Sequence, residues 1–383
     1  MNRIAINLLA GILLLVSSPT VFSQSTESIN VVTSSVPFLR ISPDARAGGM
    51  GDLGVATTAD ANSQFYNVAK YAFAEKTSGI GVTYTPWLKD LGLNDVYLAS
   101  LAGYYQLDET QAISGSLRYF SLGNIQFTDN LGNDLNTFRP REFAFDAGYS
   151  RKLSEVISLG VAIRYINSNL AGGQAVSGVS YKAGNAVAGD IGLYYTPQTE
   201  DGSGLSVGAA VTNLGSKISY TSDATQKDFI PANLTVGAVY TFVSNEVNKL
   251  SFGIDIHKLL VPTPPGLGDS LGLVNYRSKG VVGSWFSSLG DAPGGMKEEF
   301  KEFYFSLGGE YTYNDQFSVR AGYFYENPDK GNRQFFSMGA GFKYNALGIN
   351  LSYLIPSGSG VNRNPLSNTI RFSLVFDLSG SGQ

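Results

Sequence analysis

The sequence predicts an all-β chain, a transmembrane antiparallel β-barrel of about fourteen strands with an N-terminal plug. Three observations predict it. From residue 78 onward, short segments alternate apolar and polar residues, the period of two of a strand whose faces meet different surroundings. Charged residues are only 15% of the 383-residue chain, while Gly (45), Tyr (22) and Phe (23) are abundant; soluble domains carry about 25% charge, and few charges with many aromatics suit a lipid-facing wall. The connections between segments alternate between tight and long, the asymmetry expected of such barrels.

Residues 1–23 read as a signal peptide. Arg3 precedes the apolar run Leu8 to Val16, and Val21-Phe22-Ser23 resembles a cleavage site that leaves Gln24 as the mature start. A transmembrane anchor is the alternative, but the run falls short of the ~20 residues a bilayer requires. No later stretch is long and apolar enough for a spanning helix. A membrane-spanning chain of this kind crosses as strands, and a sheet in lipid must close on itself.

Residues 24–77 do not alternate and are expected to form the plug, or hatch. They contain Pro37, Pro43 and the small-residue run Ala45-Arg46-Ala47-Gly48-Gly49-Met50-Gly51. Gly48, Gly49 and Gly51 permit close backbone approach to a wall. Asp60 is placed to cap a short helix with Phe65, Val68, Ala69, Ala72 and Phe73 on one face. A phosphate-binding nest is the other reading of the glycine run; the Lys-Ser/Thr ending is missing and no strand precedes it.

Residues 78–383 form the barrel. Strands are expected at 78–86, 95–106, 111–121, 142–152, 157–169, 186–196, 204–213, 230–243, 247–257, 302–313, 316–325, 334–344, 347–356 and 368–378. The last is representative: Ile370, Phe372, Leu374, Phe376 and Leu378 share one face and Thr369, Arg371, Ser373 and Asp377 the other. An even strand number returns both barrel ends to one side. A soluble β-sandwich also alternates, but it has no need of an aromatic-rich outer face on nearly every strand. Fourteen strands are too many for side chains alone to fill the interior and fewer than open channels use, so the lumen is either plugged or a pore.

On the inward face fall Arg118, Asp146, Arg164, Asp190, Asp255, Glu310, Arg320 and Arg371. With Arg46 they form either a mutually paired network that holds the plug, since unpaired buried charge is costly, or a polar conduction path. A net charge of −4 offers no basic face for nucleic acid. The absence of cysteine removes disulfides, thiolate metal sites, Cys nucleophiles and lipoprotein processing. His257 is the only histidine; any Ser-His-Asp chemistry would have to use it, and a His-based metal site is out of reach. No EF-hand-like loop is present, and no cofactor, metal site or catalytic residue is expected.

The stretch Val36-Pro37-Phe38-Leu39-Arg40-Ile41-Ser42-Pro43-Asp44-Ala45-Arg46-Ala47-Gly48-Gly49-Met50-Gly51-Asp52-Leu53-Gly54-Val55-Ala56, followed by Asp60-Ala61-Asn62-Ser63, resembles the PorV family of the type IX secretion system of Bacteroidetes, a branch of the FadL-like barrels. The stretch from Gly283 to Gly295 is similar to that family too. The resemblance implies a non-enzymatic shuttle in the outer membrane, multi-pass, with loops facing the cell surface. Such a protein takes cargo from the giant translocon barrel by the cargo's C-terminal signal domain. It then delivers the cargo to a sortase-like attachment complex, which links it to lipopolysaccharide. The wider superfamily has Asn-Pro-Ala after the hatch helix; Asn67-Val68-Ala69 stands here, so a hydrophobe-transport mechanism does not transfer directly.

The longest expected loop, 258–301, holds Trp285 and Phe286 among Gly, Pro and Ser. Exposed aromatic anchors are favoured in interfaces, but the pair could equally belong to an interfacial aromatic belt or fold over the lumen. Two further functions stand beside the shuttle: a FadL-like transporter of hydrophobic small molecules, and a lipid-modifying enzyme that would depend on His257.

Overall fold

The structure, a computed structural model, describes residues 31–89, 92–128, 131–173, 175–176, 179–197, 202–223, 226–245, 247–266, 268–357 and 369–378. The expected signal peptide lies outside the described residues, as does most of the connection expected at 357–367.

Fourteen antiparallel strands close into one barrel. In chain order they are β1 Ser78–Pro86, β2 Val96–Asp108, β3 Gln111–Leu122, β4 Arg141–Lys152, β5 Ile157–Asn169, β6 Gly184–Tyr195, β7 Gly204–Gly215, β8 Asn233–Asn245, β9 Asn248–Leu259, β10 Phe303–Tyr313, β11 Phe317–Tyr325, β12 Gln334–Tyr344, β13 Leu347–Pro356 and β14 Ile370–Leu378. Every end falls within three residues of the expected one. Each strand pairs with its sequence neighbours, and β1 pairs with β14 from Ser78↔Leu378 to Tyr84↔Phe372. Closure leaves no free edge in the lipid.

The alternation sorts side chains between lipid and lumen. In β5, Leu159, Val161, Ile163 and Tyr165 are exposed while Ser158, Gly160, Ala162, Arg164 and Ile166 are buried. Connections at one end are short. Between β10 and β11, Asn314 and Asp315 both take positive φ (53° and 52°), the backbone of a tight hairpin turn whose twist matches its strands. At the other end the connections are long. The one at 123–140 carries a small hairpin of Ile125–Thr128 with Asp134–Phe138, and the one at 260–302 is largely helical.

One irregularity places a functional group. Between β6 and β7 the register shifts so that Gly189↔Leu214 is followed by Ile191↔Val211. The extra residue in β7 is a β-bulge, which re-aims a side chain; Asn213, at φ 58°, turns into the lumen there and is buried.

Candidate functional site

Residues 36–77 pack against the inward face of strands around the ring. After a 3-10 turn at Pro37–Arg40, the α-helical turn α1 (Ala45–Gly48) is capped by Asp44, whose Oδ2 accepts from the amides of Arg46 and Ala47 at 3.1 Å each. Those amides are therefore occupied and do not form a phosphate nest. The Ala45 amide donates to Ser373 Oγ on β14 (2.9 Å). A Cβ at Gly49 would sit 2.9 Å from Gly339 Cα, and one at Gly51, where φ is +69°, would sit 2.8 Å from Leu307 O and from Tyr323 N and O. Glycine is required at both by backbone against backbone. Farther along, the amides of Gly54 and Val55 donate to Asp255 Oδ2 at 2.8 and 3.0 Å.

The helix expected after Asp60 is two separate 3-10 turns, Ser63–Phe65 and Val68–Phe73. Asp60 Oδ1 accepts from the Asn62 amide (2.9 Å) and holds only the entry to the first. Asn67 breaks the helix: it is extended (φ −158°, ψ 105°), donates from Nδ2 to Val55 O and Leu193 O, and accepts the Ala69 amide on Oδ1. This Asn cap starts the second turn with Val68 at the position where a proline would stand.

The inward charges gather in separate clusters. Arg46 donates to Glu310 through Nε (3.2 Å) and Nη2 (2.9 Å), to Asp60 (2.9 Å), and to Thr58 O and Oγ1. Arg320 donates to Glu310 (2.5 Å) and Asn350 (2.9 Å). Arg46, from the N-terminal segment, thus shares one wall carboxylate with Arg320. Burial alone would disfavour the Arg46 charge, but Glu310 and Asp60 outweigh it and hold its pKa above the usual range. Arg164 bridges Asp146, Asp190 (2.8 Å) and Asn213 Oδ1, and Asn213 returns its amide to Asp190 (2.7 Å). Arg371 pairs with Asp52 (2.6 Å).

Two buried cations lack a carboxylate in contact among the described residues. Arg118 donates to Leu39 O (3.1 Å) and lies 5.1 Å over the Phe65 ring. Lys70 Nζ donates to Gly54 O (2.8 Å) and Thr57 Oγ1 (3.0 Å), and burial pulls its pKa down to about 8.

His257 Nδ1 meets Thr235 Oγ1 (3.0 Å) rather than a carboxylate, and its ring stacks on Tyr304 at 4.6 Å. Ser306, 3.3 Å from Nε2, is fully buried, and Asp255 is committed to the Gly54 and Val55 amides. No Ser-His-Asp relay is assembled there.

The 260–302 connection, expected as an irregular loop, contains α2 (Ser270–Ser278), α3 (Val281–Ser287) and α4 (Met296–Glu299). Asp269 caps α2 through the Gly272 amide (2.8 Å), and Lys217 Nζ closes its other end on Arg277 O (2.9 Å) and Lys279 O (2.6 Å). Tyr276 packs edge-on against Phe229 at 5.2 Å. Lys258 pairs with Glu299 (2.7 Å) and Glu302, and Lys330 with Glu298 (2.5 Å) and Glu302 (3.1 Å). On this anchored base the outward side chains are apolar: Leu271 is 77% exposed, Phe286 73% and Phe300 67%. Trp285, on the adjacent face of α3, is half-buried. Phe286 was legible in the sequence; Leu271, Val282 and Phe300 were not singled out, although the four-residue spacing of Val282 and Phe286 is a helical signal.

A family model described as "Type IX secretion system protein PorV" matches residues 24–266. The chain belongs to the PorV family. PorV-family membership and the closed ring together make this an outer-membrane barrel and a protein of a secretion system. The Pseudomonas putida toluene transporter TodX is similar in fold, with a TM-score of 0.51 at 13% identity over 88% of this chain and 98% of that one. The Ralstonia pickettii toluene transporter TbuX is similar at 0.52 and 12%, over 87% and 97%. No curated protein sequence matches the chain.

Proposed function

We propose that this PorV-family barrel is a non-enzymatic shuttle of the type IX secretion system. It binds the C-terminal signal domain of cargo and passes it from the translocon barrel to the sortase-like attachment complex. In this reading the long connections face the cell surface, the wall sits among lipid and lipopolysaccharide, and residues 36–77 act as the plug. The observation that supports docking is the 260–302 excursion. Leu271, Val282, Phe286 and Phe300 are presented outward on short helices whose base is fixed by buried Lys-Glu pairs, and apolar anchors on a rigid support bind with little ordering cost.

The test is capture of the purified barrel by an immobilised cargo C-terminal domain. Changing Phe286 and Phe300 together to Asp weakens capture at least tenfold while the barrel keeps its heat-modifiable gel migration. Capture unaffected by those changes removes the docking assignment. A deletion strain loses surface display of cargo; if it displays cargo normally and instead grows poorly on hydrophobic substrates, the transporter reading replaces the shuttle.

A further inference from the structure

One residue of the N-terminal segment holds a backbone conformation that its own side chain opposes. Val36 has φ 49° and ψ 51°. Among the described residues it is the one β-branched side chain at positive φ; the others that are not glycine are Asp, Asn and Leu. A β-branched residue is an outlier in that region. Pro37 adds a second objection, because a proline restricts the residue before it to extended backbone. Such conformations persist only where the surroundings over-determine them, and they gather at switches.

What holds Val36 is the β7–β8 connection. The Ser35 amide donates to Phe229 O (2.9 Å). Val36 is fully buried and shares one apolar cluster with Val32, Ile218, Phe229 and Tyr276. Phe229 is held in turn by α2. Tyr276 meets its ring edge-on, and Lys217 Nζ lies 4.1 Å over that ring while it donates to the carbonyls that end α2. Arg277 donates to Asp228 Oδ1 (3.3 Å), and Asp228 exchanges both backbone bonds with Ile218 (3.0 and 2.9 Å). Contact therefore runs unbroken from an exposed helix, through Phe229, to the strained residue that leads into the lumen segment.

We propose that Val36 is a strained hinge coupling α2 to the N-terminal segment. With α2 seated, Phe229 keeps Val36 left-handed. With α2 displaced, Val36 relaxes to extended backbone and residues 31–36 leave the β7–β8 connection. Rotation at Val36 re-aims the residues before it, while Phe38 stays stacked on Phe120 of the wall. The inference rests on the docking reading only for what displaces α2, whose Leu271 and Val274 face outward. By linkage, a partner that displaces α2 and the seating of residues 31–36 oppose each other equally.

The measurement is amide hydrogen exchange over 31–41 in the full chain, where the Ser35, Leu39 and Ile41 amides are bonded. Strain is read from a substitution order. Ala keeps the Cβ that opposes positive φ and Gly does not, so Val36→Gly should exchange at least fivefold more slowly than Val36→Ala. At Val32, in the same cluster but not at positive φ, the order should reverse. Coupling is read by detaching α2. Lys217→Met with Tyr276→Ala should raise exchange over 31–41 at least tenfold, and Lys258→Met, which loosens α4 instead, should not. In the Val36→Gly background, where no strain drives release, that rise should be at least threefold smaller. A captured cargo C-terminal domain should raise the same exchange. Slower exchange in Val36→Ala than in Val36→Gly overturns the strain. Unchanged exchange after α2 is detached, an equal rise in Lys258→Met, or capture with unchanged exchange overturns the coupling. Absence of capture overturns the docking reading instead, and the variants still decide the hinge.

Discussion

Removing the Arg46 guanidinium should loosen residues 45–55 against the wall while leaving the wall intact. Arg46 is the one side chain of α1 that reaches β10, through two bonds to Glu310, and it also ties Asp60 and Thr58 into the same cluster. Its side chain is 18% exposed and those of Glu310 and Asp60 are 11% and 23%, so each contact is partly screened. Charge-assisted hydrogen bonds are worth ~1.5–3 kcal/mol each when well buried, and exposed pairs ~0–1 kcal/mol. Taking roughly 1 kcal/mol for each of the three carboxylate contacts in this intermediate setting gives about 3 kcal/mol. Glu310 keeps Arg320 at 2.5 Å and is not stranded, so no large penalty for a lone buried charge is added. At 1.36 kcal/mol per decade, Arg46→Met raises local opening of residues 45–55 by about two decades. The assay is amide hydrogen exchange resolved by peptide. Exchange over 45–55 should rise about a hundredfold by that arithmetic, with β5 and β6 unchanged. Arg46→Lys, which keeps the charge but loses the fork, should fall between. A rise of less than about threefold, or an equal rise across the wall, would refute the reasoning.

Further outcomes follow from the same physics. Gly51→Ala places a Cβ 2.8 Å from three backbone atoms at positive φ, so it should lower the folded fraction on semi-native gels, whereas Gly290→Ala, in open space, should not. Lys70 provides a pH dependence. Its pKa is about 8 in the folded protein against an ordinary 10.5, so between those values the unfolded chain binds the extra proton and stability rises with pH. At 1.36 kcal/mol per pH unit the gain is about 3 kcal/mol; urea unfolding in detergent at pH 7.5 and 10.5 should show it in the unmodified chain, and Lys70→Met should remove that part. Lys258→Met strands Glu299 at the end of α4 and leaves Glu302 to Lys330 alone, and it should speed proteolysis within 260–302 severalfold while the barrel stays heat-modifiable.

The strands were legible because lipid on one side and a packed lumen on the other impose opposite demands on alternate residues. β5 shows this without exception from Ser158 to Ile166. The inward charges were legible by parity, but their partners were not. Arg46 and Glu310 are 264 residues apart, and alternation says which face a residue takes, not what it meets there. The bulge at Asn213 left no mark: the strand expected at 204–213 ran to this residue without a break, and the pairing that shifts there, Gly189↔Leu214 to Ile191↔Val211, is set by the neighbouring strand. The break at Asn67 was hidden because Phe65, Val68, Ala69, Ala72 and Phe73 fit a helical face, while the contacts that split it, to Val55 O and Leu193 O, come from elsewhere in the chain. The helices of 260–302 were obscured by Gly and Ser between their apolar positions; glycine lowers helix propensity, and the tertiary anchors at Lys217, Lys258 and Lys330 compensate.

The β14 contacts bear on the order of assembly. The last strand carries Ser373, which receives the amide of Ala45 from 328 residues away, and Arg371, which needs Asp52. The same strand completes the ring by pairing with β1. A ring that closed around an empty lumen would hold Arg371 without its carboxylate, a defect that costs ~3–5 kcal/mol when a buried pair is broken. Seam closure and seating of the N-terminal segment are therefore coupled in free-energy terms: residues near the start of the chain are held by the last strand.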